Sequence, residues 1–245
     1  MVRLNYFTSG ACVKIVDGEL KILVVHYYDD SDHKKVHEYR LPGGTIQFID
    51  IVSTIQRLGP KLNLLPAQYS SLISRIEELS RQTENKINLM QDNTNEQKVN
   101  RRNLFVEALK KAEAILIKVL PTLTELKLFQ REVQLTTLRR ELEQECAVAT
   151  FTDAIDCGHA QRGEHTQYPY LILGADAPDS YKGGSDKDIV ESLFMTLDEV
   201  CINIYKYHRL FLSNALSKLS HIWGYEKDKS EFVKKIDHCL KENQV

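Results

Sequence analysis

The chain has no apolar run of eighteen residues, the length a membrane-spanning helix needs, so no transmembrane segment is expected. It also lacks a CxxC pair. Its five cysteines, Cys12, Cys146, Cys157, Cys201 and Cys239, are odd in number and scattered, a pattern that favours reduced thiols over a disulfide framework or a structural zinc site. Charge of one sign is lacking too: 32 Lys+Arg against 34 Asp+Glu leaves a formal net charge of −2. That balance offers no global attraction to nucleic acid or to a membrane surface. The opening MVRLNYFTSG has no long apolar core, so no classical signal peptide is expected. A cytoplasmic location is the resulting expectation, with export by another signal left open. What is present is ordinary globular material, since 42% hydrophobic residues in a chain of 245 are ample for a core.

Three territories follow one another. From Ala11 to Tyr28 the pattern is that of a β-hairpin, with ACVKIV and LKILVVHYY as strands and Asp17-Gly18 as the tight turn. A polar loop, 29–38, leads to YRLPGG, where Pro42 stiffens the approach and Gly43-Gly44 permit a sharp turn. Between 51 and 131 glycine is nearly missing, Gly59 standing alone, and a helical period takes over. Leu65, Tyr69, Leu72, Ile76 and Leu79 step by four and three, and Phe105, Ala108, Ala112, Ile115 and Val119 repeat that stepping after the polar break 91–96. Pro121 ends the second of these helices. Thr122 and Glu125 have capping-box spacing for a third helix, expected to run to about Cys146. This middle segment holds 13 Lys+Arg against 8 Asp+Glu, about +5; a solvated helix surface accounts for that surplus better than a nucleic-acid patch does. The last territory returns to strands, in VATFTDAI, QYPYLILGAD and IVESLFMTL. It ends in two helices, one over KYHRLFLSNALSKL and one over about Lys229–Glu242, with Trp223 expected to anchor the latter.

The segment RRELEQECAV carries the chemistry. Glu141, Gln144 and Glu145 stand at i, i+3 and i+4 and so share one helical face. Two carboxylates and an amide oxygen form a hard donor set suited to Mg²⁺ or Mn²⁺. Charged pairs on exposed helices are common, so the face alone reads more readily as solvated surface than as a metal site. Cys157-x-His159 with His165 has no second ligand pair at metal spacing. Tyr168 and Tyr170 alternate on a strand, available to stack a base or simply to pack.

Glu132, seven residues, then Arg140-Glu141-Leu142-Glu143-Gln144-Glu145, together with the upstream LPGG, resembles the Nudix hydrolase motif, here interrupted by about 85 residues between Gly44 and Glu132. The resemblance covers roughly 1–50 and 132–220. It implies an α+β fold, an α/β/α sandwich on a mixed sheet, carrying an α-helical hairpin insertion. The implied domains are 1–50 with 132–225 as the core, 51–131 as the insertion continuing into the motif helix, and 226–245 as a C-terminal helix. It further implies hydrolysis of a diphosphate linkage in a nucleoside diphosphate derivative with Mg²⁺ or Mn²⁺. Glu141, Gln144 and Glu145 would be the metal ligands, Arg140 would orient the carboxylates, and Gly43, Gly44 and Tyr168 would meet substrate. A late-loop carboxylate, Asp186, Asp188 or Glu191, would act as base, with Glu191 carried forward as the catalytic choice.

Three departures from the motif matter. Gln144 replaces a family glutamate, Ala147 replaces the glycine after the helix (tolerable at a negative φ), and the first acidic position is open between Asp50 and Glu132, the latter preferred for its spacing to Arg140. The alternative to an enzyme is a Nudix-fold binding or regulatory protein, its catalysis weakened by Gln144. In that case the insertion would recruit a protein partner or a second copy of the chain; no membrane and no nucleic acid is expected as partner.

Overall fold

The computed structural model describes residues 7–29, 36–62, 64–90, 95–120, 122–162, 165–183 and 188–242. Asp186, Pro121, most of the 29–38 loop and of the 91–96 break, and the side chain of His165 lie outside the described residues. The chain divides by its own contacts into a helical unit, built on residues 46–136, and a sheet unit made of 7–45 and 137–245.

The sheet unit starts with β1 (Phe7–Val16) and β2 (Glu19–Asp29), an antiparallel hairpin in register Val16↔Glu19. Its turn works because Asp17 and Gly18 both take positive φ, 52° and 76°, the twist that a two-residue hairpin requires. β3 (Val36–Arg40) pairs with β2, and β4 (Gly43–Thr45) pairs with β1. Later strands are β5 (Asp153–Asp156), β6 (Ala160–Arg162), β7 (His165–Leu173), β8 (Ser180–Tyr181) and β9 (Ile189–Thr196). The main path runs β5-β7-β1-β2-β9-β8. β1 and β7 are parallel while the other pairs are antiparallel, so the sheet is mixed.

Strand alternation sends the two faces of β1 to different helices. Ala11 and Val13 join a core with Phe211, Leu212, Leu216, Leu219 and Trp223 of the late helices. Gly10 lies on the other face, against Leu138, so closely that a methyl group would sit 3.0 Å from that side chain. Helices therefore cover both faces. The expected strand over VATFTDAI is shorter than its pattern, because Ala149 and Thr150 bond irregularly to Asp176 and only Asp153–Asp156 enters the ladder.

The helical unit contains a helix that the periodicity argument did not name. It is α1 (Phe48–Leu58), followed by α2 (Pro66–Asn88), α3 (Asn95–Val119) and the N-terminal half of α4 (Leu123–Cys146). Ile51, Ile55, Leu72, Ile76, Leu109, Ala112, Phe129 and Val133 are all but inaccessible, and Phe105 meets Phe48 edge-on at 5.5 Å. Ala108 and Ala112 keep one face of α3 small, which lets neighbouring helices approach. Leu65 does not join the seam; it precedes α2 as its cap and is exposed. The Thr122 capping box does form, with Thr122 Oγ1 accepting from Glu125 N–H at 3.1 Å and the Glu125 carboxylate accepting from Thr122 N–H at 3.2 Å. No helix among the described residues is long and apolar enough to cross a membrane.

α5 (Leu197–Asn203), α6 (Arg209–Trp223) and α7 (Ser230–Glu242) complete the sheet unit. The ring of Trp223 lies 5.9 Å from that of Phe232, which ties α6 to α7. Two readings of the sequence need correction here. Cys201 on α5 and Cys239 on α7 form a disulfide across 38 residues, their Cα atoms 6.6 Å apart, so the thiols are not all reduced; helix packing brought together a pair that spacing could not reveal. Ala147 sits at φ 53°, not at a negative value. α4 closes on the Ala147 N–H bond to the Glu143 carbonyl, 3.1 Å, a left-handed cap usually built on glycine.

Two outcomes follow from these features. Ala147→Gly should stabilise the protein by about 0.5–1 kcal/mol, since the left-handed strain of alanine exceeds the added freedom of the unfolded glycine chain; an unmoved urea midpoint would count against the cap. Alkylation in denaturant without reductant should label three cysteines by mass, and all five once reductant is added.

Candidate functional site

The site begins with the glycine pair. β4 lies on β1 in register Ser9↔Gly43 and Thr8↔Gly44. Gly43 has φ 146°, and any side chain there would run into the Thr8 carbonyl. Gly44 is needed for a different reason: a Cβ would occupy the place of the Glu141 carboxylate. The absent side chain is what allows the end of α4 to press an acid onto the strand.

Three polar contacts hold that acid and its neighbour. Glu145 Oε2 accepts the Gly43 N–H at 3.0 Å. Arg140 Nη1 pairs with Glu141 Oε1 at 2.8 Å, and Arg140 Nη2 donates to the Thr45 carbonyl at 3.1 Å. Arg140 Nη1 also reaches Gln144 Oε1 at 3.3 Å. The arginine thus clips helix to strand while fixing the direction of Glu141. Glu141 and Arg140 side chains are 13% and 15% exposed, so each would suffer if its partner were removed. Like charges at i, i+4 cost a few tenths of a kcal/mol on an open helix; here the guanidinium and the Gly43 N–H offset that repulsion.

Gly43, Gly44 and Glu145 open onto a cleft of about 200 Å³, whose lining also includes Tyr27, Arg40 and His208. Among the described residues no three His, Cys, Asp or Glu side chains converge on one point suited to a metal ion. Two carboxylates are nevertheless a sufficient protein contribution for Mg²⁺, which keeps several waters and takes phosphate oxygens as further ligands. The hard oxygens of Glu141, set against Gly44, and of Glu145, on the Gly43 N–H, are of the kind that suits such an ion. Gln144 is exposed and turned to Arg140.

The remaining expected site residues scatter. Glu191 is not brought to the cleft: it pairs with His26 in the β2–β9 register and lies near His26 Nδ1 (3.9 Å) and Lys182 Nζ (3.6 Å). Cleft-lining Val25 and Tyr27 flank His26 in sequence, so alternation puts His26 and its partner on the opposite face. Asp188 stands closer, accepting the Tyr27 hydroxyl at 3.2 Å, and Asp186 is outside the described residues. Tyr168 is also turned away. Its neighbour Gln167 lines the cleft, whereas the Tyr168 ring lies 6.1 Å from that of His159. Glu132 belongs to the helical unit, bound to Arg57 at 2.5 Å, and Asp50 caps α1 through the Gln47 N–H at 2.8 Å. Both candidates for the first acidic position thus belong to the helical unit.

Reading the sequence missed Arg40, Tyr27, Gln167 and His208. Arg40 had a signal, standing just before LPGG. His208 had none, since its place depends on the turn into α6. The free cysteines offer no nucleophile: burial pushes the Cys157 thiol up to about 11, and those of Cys12 and Cys146 well above the ordinary range.

Neither a family model nor a curated protein matches this chain. One solved structure does resemble it: a Nudix hydrolase from Nitrosomonas europaea, at 10% identity, covering 87% of this chain and 89% of its own, with a TM-score of 0.38. At that score the likeness carries no argument, and the site must be judged on its own geometry.

Gly44→Ala should cost about 1–3 kcal/mol, as an overpacked contact does. In a Glu141→Ala background most of that cost should vanish, because the obstructing carboxylate is gone. Equal costs in the two backgrounds, measured by urea denaturation, would show that Glu141 does not lie against Gly44.

Proposed function

We propose that the protein is a metal-dependent hydrolase of a diphosphate linkage in a nucleoside diphosphate derivative. One observation carries this reading: the Gly43 N–H and the Glu145 carboxylate, 102 positions apart in sequence, meet at 3.0 Å on the wall of a cleft. The Nudix resemblance of LPGG and REL-x-x-E supports it, since both halves of that motif meet there. Glu141 and Glu145 are the residues to hold Mg²⁺ or Mn²⁺, with Gln144 as a weak neutral donor at the rim. A bound divalent ion would neutralise the diphosphate and lower the pKa of an attacking water. Arg140 positions Glu141, and Gly43-Gly44 line the cleft beside the acids, where substrate phosphates would lie. Asp188, within hydrogen-bond reach of a cleft residue, is a better candidate than Glu191 for a carboxylate acting near the reacting water.

A second reading is favoured by Gln144, which leaves the acid face one charge short. In that reading the sheet unit binds its ligand without turnover, and the helical unit recruits a partner.

Phosphate release from nucleotide-sugar, dinucleoside polyphosphate and ADP-ribose substrates, with Mg²⁺ or Mn²⁺, separates the two. Turnover is expected. Glu145→Gln should lower it by at least about 100-fold, while Gln144→Glu should tighten Mn²⁺ binding. Wild-type turnover in Glu145→Gln at saturating substrate would remove the assignment, and saturable binding without turnover would favour the second reading.

A further inference from the structure

Resting on the hydrolase reading, we propose that Arg40 makes this cleft select substrates that carry a phosphoryl group beyond the scissile diphosphate. Arg40 ends β3 three residues before Gly43. Three residues span at most about 10 Å, so its guanidinium is rooted within reach of the group next to a diphosphate held at Gly43-Gly44.

The way the guanidinium is held decides what it can recognise. Its central carbon lies 3.8 Å over the Tyr27 ring and 4.9 Å from the Tyr205 ring. Nε and Nη2 both donate to Glu38 Oε2, at 3.0 and 2.7 Å. A guanidinium has five N–H donors in one plane, and Glu38 engages only one edge of that fork. With a face on Tyr27 and one edge on Glu38, the Nη1 edge is what Arg40 presents to a ligand. In-plane donors match the oxygens of a phosphoryl group, whereas stacking a nucleobase would need a free face.

The described lining of the cleft offers an anion no rival to Arg40. Among the described residues lining the cleft, Arg40 carries the sole permanent positive charge. His208 Nδ1 accepts the Leu41 N–H at 3.0 Å, so the hydrogen of its neutral ring resides on Nε2, as a donor. Glu38 already takes much of the charge of Arg40, so what is left for a ligand is chiefly the directed pair of N–H donors on the Nη1 edge. The plainer role is that of a strut, Arg40 fastening β3 to β2 and to the turn before α6. A strut would affect stability and all substrates alike.

The decisive quantity is therefore a ratio. Calorimetry on the full chain, in saturating Mg²⁺, compares inorganic tripolyphosphate with pyrophosphate. Kinetics compares a nucleoside triphosphate and a 2′-phosphorylated ADP-ribose with plain ADP-ribose. The wild type should prefer the phosphate-rich member of each pair, and Arg40→Met should reduce that preference by about 10–100-fold. Arg40→Lys, which keeps the charge but not the planar edge, should fall between, and guards against a misfolded Met variant. If only the triphosphate preference drops, the group is the next phosphate in the chain; if only the 2′-phosphate preference drops, it is a monoester on the attached moiety. A ratio unchanged by Arg40→Met, or an absent preference in the wild type, overturns the proposal. Loss of tripolyphosphate preference in a protein that hydrolyses nothing would sink the hydrolase reading while leaving Arg40 as the phosphate reader.

Discussion

The contact between the last turns of α4 and β4 governs the site. Arg140 bridges Glu141 and the Thr45 carbonyl, Glu145 takes the Gly43 N–H, and Gly44 supplies the space that Glu141 needs. Each element depends on the others. Without a glycine at 44 the carboxylate cannot approach; without Arg140 that half-buried carboxylate would lose its ion pair. Without the strand, the acids at i and i+4 would be an ordinary exposed pair. A local steric vacancy thus turns a common helical charge pattern into a candidate for ion and phosphate chemistry.

α4 belongs to two units, its residues passing from the helical one to the sheet one at Thr136–Thr137. That division explains the fate of Glu132. It lies eight residues before Arg140, about 12 Å along a helix axis, and is bound to Arg57 of α1 instead. The helical unit has a core of its own, with Ile55, Leu109 and Phe129 buried inside it.

The cleft joins an acidic wall to a donor-rich lining, and both draw on the YRLPGG segment. Arg40 and the Leu41 N–H, which donates to His208 Nδ1, lie on the donor side, and Gly43-Gly44 face the acids. Seven consecutive residues, Glu38 to Gly44, thereby connect the two sides of the candidate site. The Tyr27–Asp188 hydrogen bond ties the residue just before β9 to a side chain that lines the cleft.

Local physics was legible without a structure. Asp17-Gly18 required its hairpin, the apolar stepping required α2 and α3, Thr122 and Glu125 required their cap, and the spacing of Glu141 and Glu145 required a shared face, because each rests on neighbours a few residues apart. Which face of β9 shows Glu191, where Tyr168 points, which cysteines meet and which arginine turns to the cleft were decided by packing. Strand parity near the His26–Tyr27 irregularity, the meeting of α5 with α7 and the turn that delivers His208 all depend on contacts made across long separations. Such contacts leave no periodic trace in the chain, so only the folded arrangement could select among side chains that were chemically equivalent as letters.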